Sequence, residues 1–138
     1  MVDSELERLH EQWRSLCLAM PGAYEDHPFG ADSTVFKIAG RDRNRNKMFA
    51  LLMVHRGELV LNLKCEPAIA DDLRGNYPQI TPGYHMNKKH WNSVRAGLEE
   101  DRLRELIEDS YDLVVEGFPK RDREVIELGR HVAEGSLD

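Results

Sequence analysis

Apolar residues recur at helical spacing near both ends of the chain and alternate with polar ones in its middle. Leu6, Leu9, Trp13, Leu16, Cys17 and Met20 share one stripe, so residues 4–20 are predicted to form an amphipathic helix with Trp13 as a core anchor. Pro21–Gly22 ends it. A brief strand is expected at Tyr24–His27, followed by a turn that Pro28 and Gly30 force around Phe29. From Thr34 the period becomes two. Thr34, Phe36 and Ile38 point inward, with Val35 and Lys37 outward, up to Ala39. Lys47–Val54 is a nearly continuous apolar run. In Glu58–Lys64, Leu59, Leu61 and Leu63 oppose Val60, Asn62 and Lys64. The short links between these three runs predict an antiparallel meander. Pro67 is placed to open a helix and Gly75–Asn76 to close it. Leu103, Leu106, Ile107, Ser110, Tyr111, Val114 and Phe118 mark the buried stripe of a later helix that starts near Glu99 and ends at Gly117 and Pro119. Beyond Lys120 a weaker pattern at Val125, Leu128 and Val132 predicts a short, loosely packed helix and a frayed tail. The expected fold is α/β of the two-layer α+β kind, an antiparallel sheet packed against N- and C-terminal helices. It comprises a single domain over residues 1–118 and a charged extension over 119–138.

The densest run of specialised residues is Tyr77–Trp91. Pro78 holds Tyr77 out of the helical region, so the preceding helix must have stopped. Thr81–Pro82–Gly83–Tyr84 fits a type II turn, with Pro82 presetting φ and Gly83 supplying a positive one. Tyr84–Met86 is expected to be extended and Asn87–Lys89 to form a polar turn. Trp91–Arg95 is predicted as a strand with Trp91, Ser93 and Arg95 on one face, Asn92 and Val94 on the other. The unit is a hairpin-like excursion carrying Lys88 and Lys89 at its tip. Tyr84 and Trp91 are expected to pack the hairpin against the helices, and Asn87 to serve the turn.

Charge changes this picture. The formal net charge is −6, against a general affinity for polyanions. Yet residues 1–36 carry 2 basic and 7 acidic side chains, residues 37–95 carry 11 and 5, and residues 96–138 carry 6 and 13. A positive middle lies between two negative ends. Two hairpin tips concentrate it: the loop Gly40–Asn46, with Arg41, Arg43 and Arg45, and the cluster Lys88, Lys89, His90. Cys17 and Cys65 form no CxxC or His/Cys metal pattern, and free, buried thiols are expected. No N-terminal apolar run resembles a signal peptide and no segment reaches membrane-spanning length, so a cytoplasmic protein without membrane attachment is expected.

These features favour a non-catalytic binding module with DNA as the leading partner. Phosphate contacts are assigned to Lys37, Arg41, Arg43, Arg45, Lys64, Lys88 and Lys89. Tyr84, His85 and Trp91 lie beside them, placed for stacking if the target is single-stranded; Asn87 and His90 belong to the same candidate surface, Asn87 at the turn and His90 in the cluster that can meet an anion. Two basic tips suit straddling a duplex backbone. The alternative is a protein-interaction or small-anion module whose basic face takes an acidic protein partner. No P-loop, dinucleotide fingerprint, nucleophile elbow or HExxH occurs, and no helix-turn-helix, zinc finger or RNP motif. No cofactor or metal is expected. His85 and His90 lack ligand spacing, His27 suits a structural role at a strand end, and Glu5, Glu7 and Glu11 suit a solvated helix face.

HPFG (His27–Gly30), FKIAGR (Phe36–Arg41), KMFALL (Lys47–Leu52), LNLKCEP (Leu61–Pro67), YPQITPGYHMNKKHWNSV (Tyr77–Val94) and LRELIEDSYDLV (Leu103–Val114) together resemble the MmcQ/YjbR family of small bacterial proteins, PGYHMNKKHWNSV being the specific part. The resemblance implies a CyaY-like fold, related in shape to frataxin, and a DNA-binding role through a double-wing motif. Two departures stand out: the arginine loop at 41–46 is longer than the family's short hairpin, and the segment from Lys120 is an addition.

Overall fold

The computed structural model describes residues 4–41, 46–84 and 86–133. The N-terminal stripe becomes helix α1 (Ser4–Leu18), and the strands β1 (Ala23–Asp26), β2 (Ser33–Ala39), β3 (Asn46–His55) and β4 (Glu58–Lys64) follow. Helix α2 (Pro67–Asn76) leads into β5 (Ile80–Pro82) and β6 (Trp91–Arg95), and α3 (Glu100–Glu116) and α4 (Lys120–Ala133) complete the order. The six strands form one antiparallel sheet in the order β1-β2-β3-β4-β6-β5. β3 and β4 are joined by Arg56–Gly57, whose φ values of 51° and 78° suit the tight primed turn that matches strand twist.

One face of the sheet carries the core. Phe36, Ile38, Leu52, Leu61, Leu63 and Val94 pack there against Trp13 and Cys17 of α1 and Leu103, Ile107, Tyr111 and Val114 of α3. Burial pushes the Cys17 thiol up to about 12, so it is an inert filler. Cys65 is half-buried, and burial raises it too. The β2–β3 ladder slips between Phe36 and Lys37, leaving Phe49 as an extra residue; this is a β-bulge. The bulge turns Phe49 into the core, where it meets Tyr111 edge-on at 5.5 Å. Ser110 of α3 repairs the ladder there, accepting from Lys64 N–H at 2.9 Å and donating to the Phe49 carbonyl at 2.6 Å.

Among the described residues no helix lies over the second face, and its centre is nevertheless closed. Val35, expected to point outward, is 2 % exposed. Leu51 lies beside it in register, and Val60 and Asn62 continue the row of buried residues on β4. α2 runs through Gly75 to Asn76, and Tyr77 stops it in an extended conformation, as a residue before proline must.

α4 differs most from expectation. Val125, Leu128 and Val132, the packing side that the sequence predicts, are 48–59 % exposed. The helix docks instead through Ile126, through Asp122, and through Arg130, which pairs with Asp112 at 2.8 Å and lies over the Tyr111 ring.

Candidate nucleic-acid interface

Strand direction decides which loops are neighbours. β2 ends, β3 begins, β4 ends and β6 begins at one end of the sheet. The β2–β3 connection and the 83–90 excursion therefore leave from the same end. Their bases lie about three strand spacings apart, roughly 14 Å. The start of α4 reaches this end as well. Arg41 N–H donates to Asp122 Oδ1 at 2.6 Å, and Lys47 Nζ donates to the Gly117 carbonyl at 2.6 Å while lying over the Phe118 ring.

The excursion is built by its own polar atoms. The Asn87 carbonyl accepts from His90 and Trp91 N–H, and its Oδ1 accepts from Lys89 N–H at 3.0 Å, so Asn87 is the turn residue that the sequence predicts. Lys88 Nζ reaches back to the Gly83 carbonyl at 3.0 Å. The expected type II turn is absent. β5 stays paired with β6 through Pro82↔Asn92, and Gly83 does not take a positive φ. Glycine is needed there for another reason: a Cβ would stand 2.9 Å from Trp91 Cβ. Of the extended run expected at Tyr84–Met86, His85 lies outside the described residues, and neither Tyr84 nor Met86 is in a strand. The chain turns onto the helix-free face, where Tyr84 N–H donates to Ser93 Oγ at 2.9 Å and Ser93 Oγ to Asn62 Oδ1 at 2.6 Å. The Tyr84 ring lies 4.2 Å from His55, tilted by 39°.

Tyr84 and Trp91 do not pack against the helices as expected. They lie on the opposite face, half-buried and outside the core cluster. The cause is the strand period: Trp91, Ser93 and Arg95 share the face away from Asn92 and Val94, and the core side belongs to the latter pair.

The sequence-derived cations fare differently. Lys37 is spent on Asp26 at 2.7 Å, holding that carboxyl below its ordinary range. Arg41, Lys88 and Lys89 are exposed, and Lys64 and His90 are half-buried. Arg43, Arg45 and His85 lie outside the described residues. Among the described residues, the lysines and arginines without an ion pair are Arg8, Arg41, Lys47, Arg56, Lys64, Lys88, Lys89, Lys120, Arg121 and Arg123. All but Arg8 and Arg56 sit at the sheet end that carries the two connections and the start of α4.

Sequence reasoning missed two parts of this site. Arg74, on α2, ties the excursion down with contacts to Asn92, Lys88 and Trp91; nothing in its sequence neighbourhood signals that. Lys120, Arg121 and Arg123 did leave a signal, because three cations in a first helical turn oppose the helix dipole.

Elsewhere, His27 is structural, its Nδ1 lying 3.1 Å from the Ser33 carbonyl. Among the described residues no group of His, Cys, Asp or Glu is placed to hold a metal ion, and no helix is long and apolar enough to cross a membrane.

Comparison with known proteins supplies the lineage. The YjbR family model matches residues 18–113. The chain is similar to the Escherichia coli O157:H7 protein YbdF, 44% identical over 125 residues, covering 89% of this chain and 98% of the relative. It is similar to YjbR of Escherichia coli K12, 26% identical over 112 residues, covering 80% and 90%. A crystal structure of a Deinococcus radiodurans protein with a DUF419 domain superimposes with a TM-score of 0.76 at 36% identity, covering 85% of this chain and 86% of that one.

Proposed function

The chain belongs to the YjbR family, and on that footing we propose that it is a non-catalytic DNA-binding module that holds phosphates with the cations at the loop end of its sheet. One observation carries this reading: among the described residues, the cations left without an ion pair, Arg8 and Arg56 excepted, gather at that end, on at least four separate elements. Arg41, Lys64, Lys88 and Lys89 are joined there by Lys120, Arg121 and Arg123 of α4. A cation already neutralised by a carboxylate contributes little to counterion release, whereas an unpaired one contributes fully. The outer faces of α1 and α3, with Glu7, Glu11, Glu105 and Glu108 exposed, repel a polyanion and leave the loop end as the approach.

The test is fluorescence anisotropy of labelled oligonucleotides against the purified protein across a salt series. Binding that weakens along a linear log–log slope is expected, because each phosphate contact releases counterions. Absence of binding even at low salt removes the DNA reading, and the basic end then calls for an acidic protein or a small anion.

A further inference from the structure

We propose that the DNA bound at this end is an unpaired strand, with a base stacked on Trp91; this rests on the DNA reading above and specifies its substrate. Trp91 is the first residue of β6 and projects from the helix-free face. It is half-buried, and it is absent from the core cluster that absorbs Trp13. Its partner across the ladder is Lys64, so the two side chains leave the sheet side by side on one face, their Cβ atoms at the spacing of cross-strand neighbours. Among the described residues Lys64, Lys88 and Lys89 carry no ion pair, and the last two precede Trp91 in the adjoining turn. The arrangement offers a flat aromatic surface bordered by free positive charge.

A duplex cannot use that surface, because its base faces are already stacked on one another. An unpaired strand uses both parts, phosphates on the lysines and a base on the ring, without regard to sequence. The charge balance points the same way. A chain of net charge −6 whose unpaired cations among the described residues, Arg8 and Arg56 apart, gather at one end of the sheet suits a single strand, whose charge density is below that of a duplex.

The two tryptophans allow a direct test on the full-length protein. Trp13 is 4 % exposed in the core, beyond the reach of any base, so quenching on titration must come from Trp91. With oligo(dT) at low salt, saturable quenching is expected, together with binding tighter than that of a duplex of equal length. Trp91→Leu should lose the quenching and about tenfold or more in affinity, the scale of one base stack. Trp91→Phe should keep most of the affinity while losing the signal, which separates stacking from a general loss of fold. Duplex binding at least as tight, with no quenching, overturns the single-strand assignment and leaves DNA binding in place. Tighter binding of oligo(U) overturns the choice of DNA. Failure to bind any of the three overturns both readings.

Discussion

Arg74 donates its Nε–H to Asn92 Oδ1 at 2.7 Å, and this bond joins α2 to the strand that carries Trp91. The same guanidinium donates to the carbonyls of Lys88 and Trp91 and lies 3.4 Å from Asp71. One planar group therefore sets the height of the 83–90 excursion over the sheet. Asn92 is buried, and its Nδ2 has no hydrogen-bond partner, so Arg74 supplies the only partner its side chain has among the described residues.

Arg74→Ala should accordingly destabilise by about 2 kcal/mol, since it strands a buried acceptor as well as deleting charge-assisted bonds. The check is the urea midpoint at unchanged m-value. Hydrogen exchange should rise across residues 84–90 first. Arg74→Lys should recover little, because an ammonium cannot reach three acceptors held in a planar fork. A lysine variant as stable as the parent would show that the excursion stands by its own turn.

Gly40 and Gly129 make opposite demands. A Cβ on Gly40 would lie 2.6 Å from Asp122 Oδ1, and that carboxylate is 1 % exposed and fixed by Arg41 N–H. Gly40→Ala should therefore push the start of α4 off the sheet and cost about 1–3 kcal/mol. Gly129 sits inside α4, and a Cβ there meets nothing within 4 Å. Gly129→Ala should stabilise by up to about 1 kcal/mol through helix propensity. Thermal midpoints shifting in opposite directions are the expected result.

The difference between these glycines explains what can be read from the chain alone. β4 and β6 are legible residue for residue, because alternation over five or more positions has one solution. The loop end of the sheet is legible as charge but not as geometry. Nothing local distinguishes Lys37, neutralised by Asp26 on the neighbouring strand, from Lys64, which is unpaired; cross-strand partners depend on register. α4 misleads for a related reason. Its apolar stripe at Val125, Leu128 and Val132 has good helical spacing, yet the contacts that dock it come from Ile126, Asp122 and Arg130, and the last two are charged. A charged residue announces no burial until its partner is known. Gly83 marks the correct bend for the wrong reason, since close approach and positive φ leave the same letter in a sequence.

Acid should loosen the edge of the sheet. Arg14 grips Glu25 through two bonds of 2.9 and 2.6 Å, and the first of its effects is to hold the Glu25 carboxyl below its ordinary 4.5. A carboxyl depressed in the folded state binds its proton more readily when unfolded. Its stabilisation is thus complete above about pH 4.5 and fades as pH falls through the depressed folded value. A double-mutant cycle of Arg14→Met and Glu25→Gln should give a coupling of about 0.5–1 kcal/mol at pH 7, typical of a partly exposed pair. The same cycle at pH 5.5 should be unchanged, and the coupling should shrink only below pH 4.5. Loss of coupling already between pH 7 and 5.5 would show that the Glu25 carboxyl is not the group that sets the pH dependence.

Lysines at the loop end should separate by their partners rather than by their position in the sequence. Lys88→Ala with Lys89→Ala should weaken DNA binding for every sequence tested. It should also reduce the log–log salt slope by about 0.7 to 0.9 for each phosphate that is no longer neutralised. Lys37→Ala removes a charge that Asp26 already balances at 2.7 Å, so the slope should stay as it was even if stability drops slightly. The two variants remove charge from the same positive middle of the chain, and a slope that tracked net charge alone would fall in both. A fall confined to the Lys88/Lys89 variant assigns the phosphate binding to the tip. Unchanged affinity in that variant excludes the tip from the interface and leaves Lys64, Arg41 and the start of α4 as the cations to remove next.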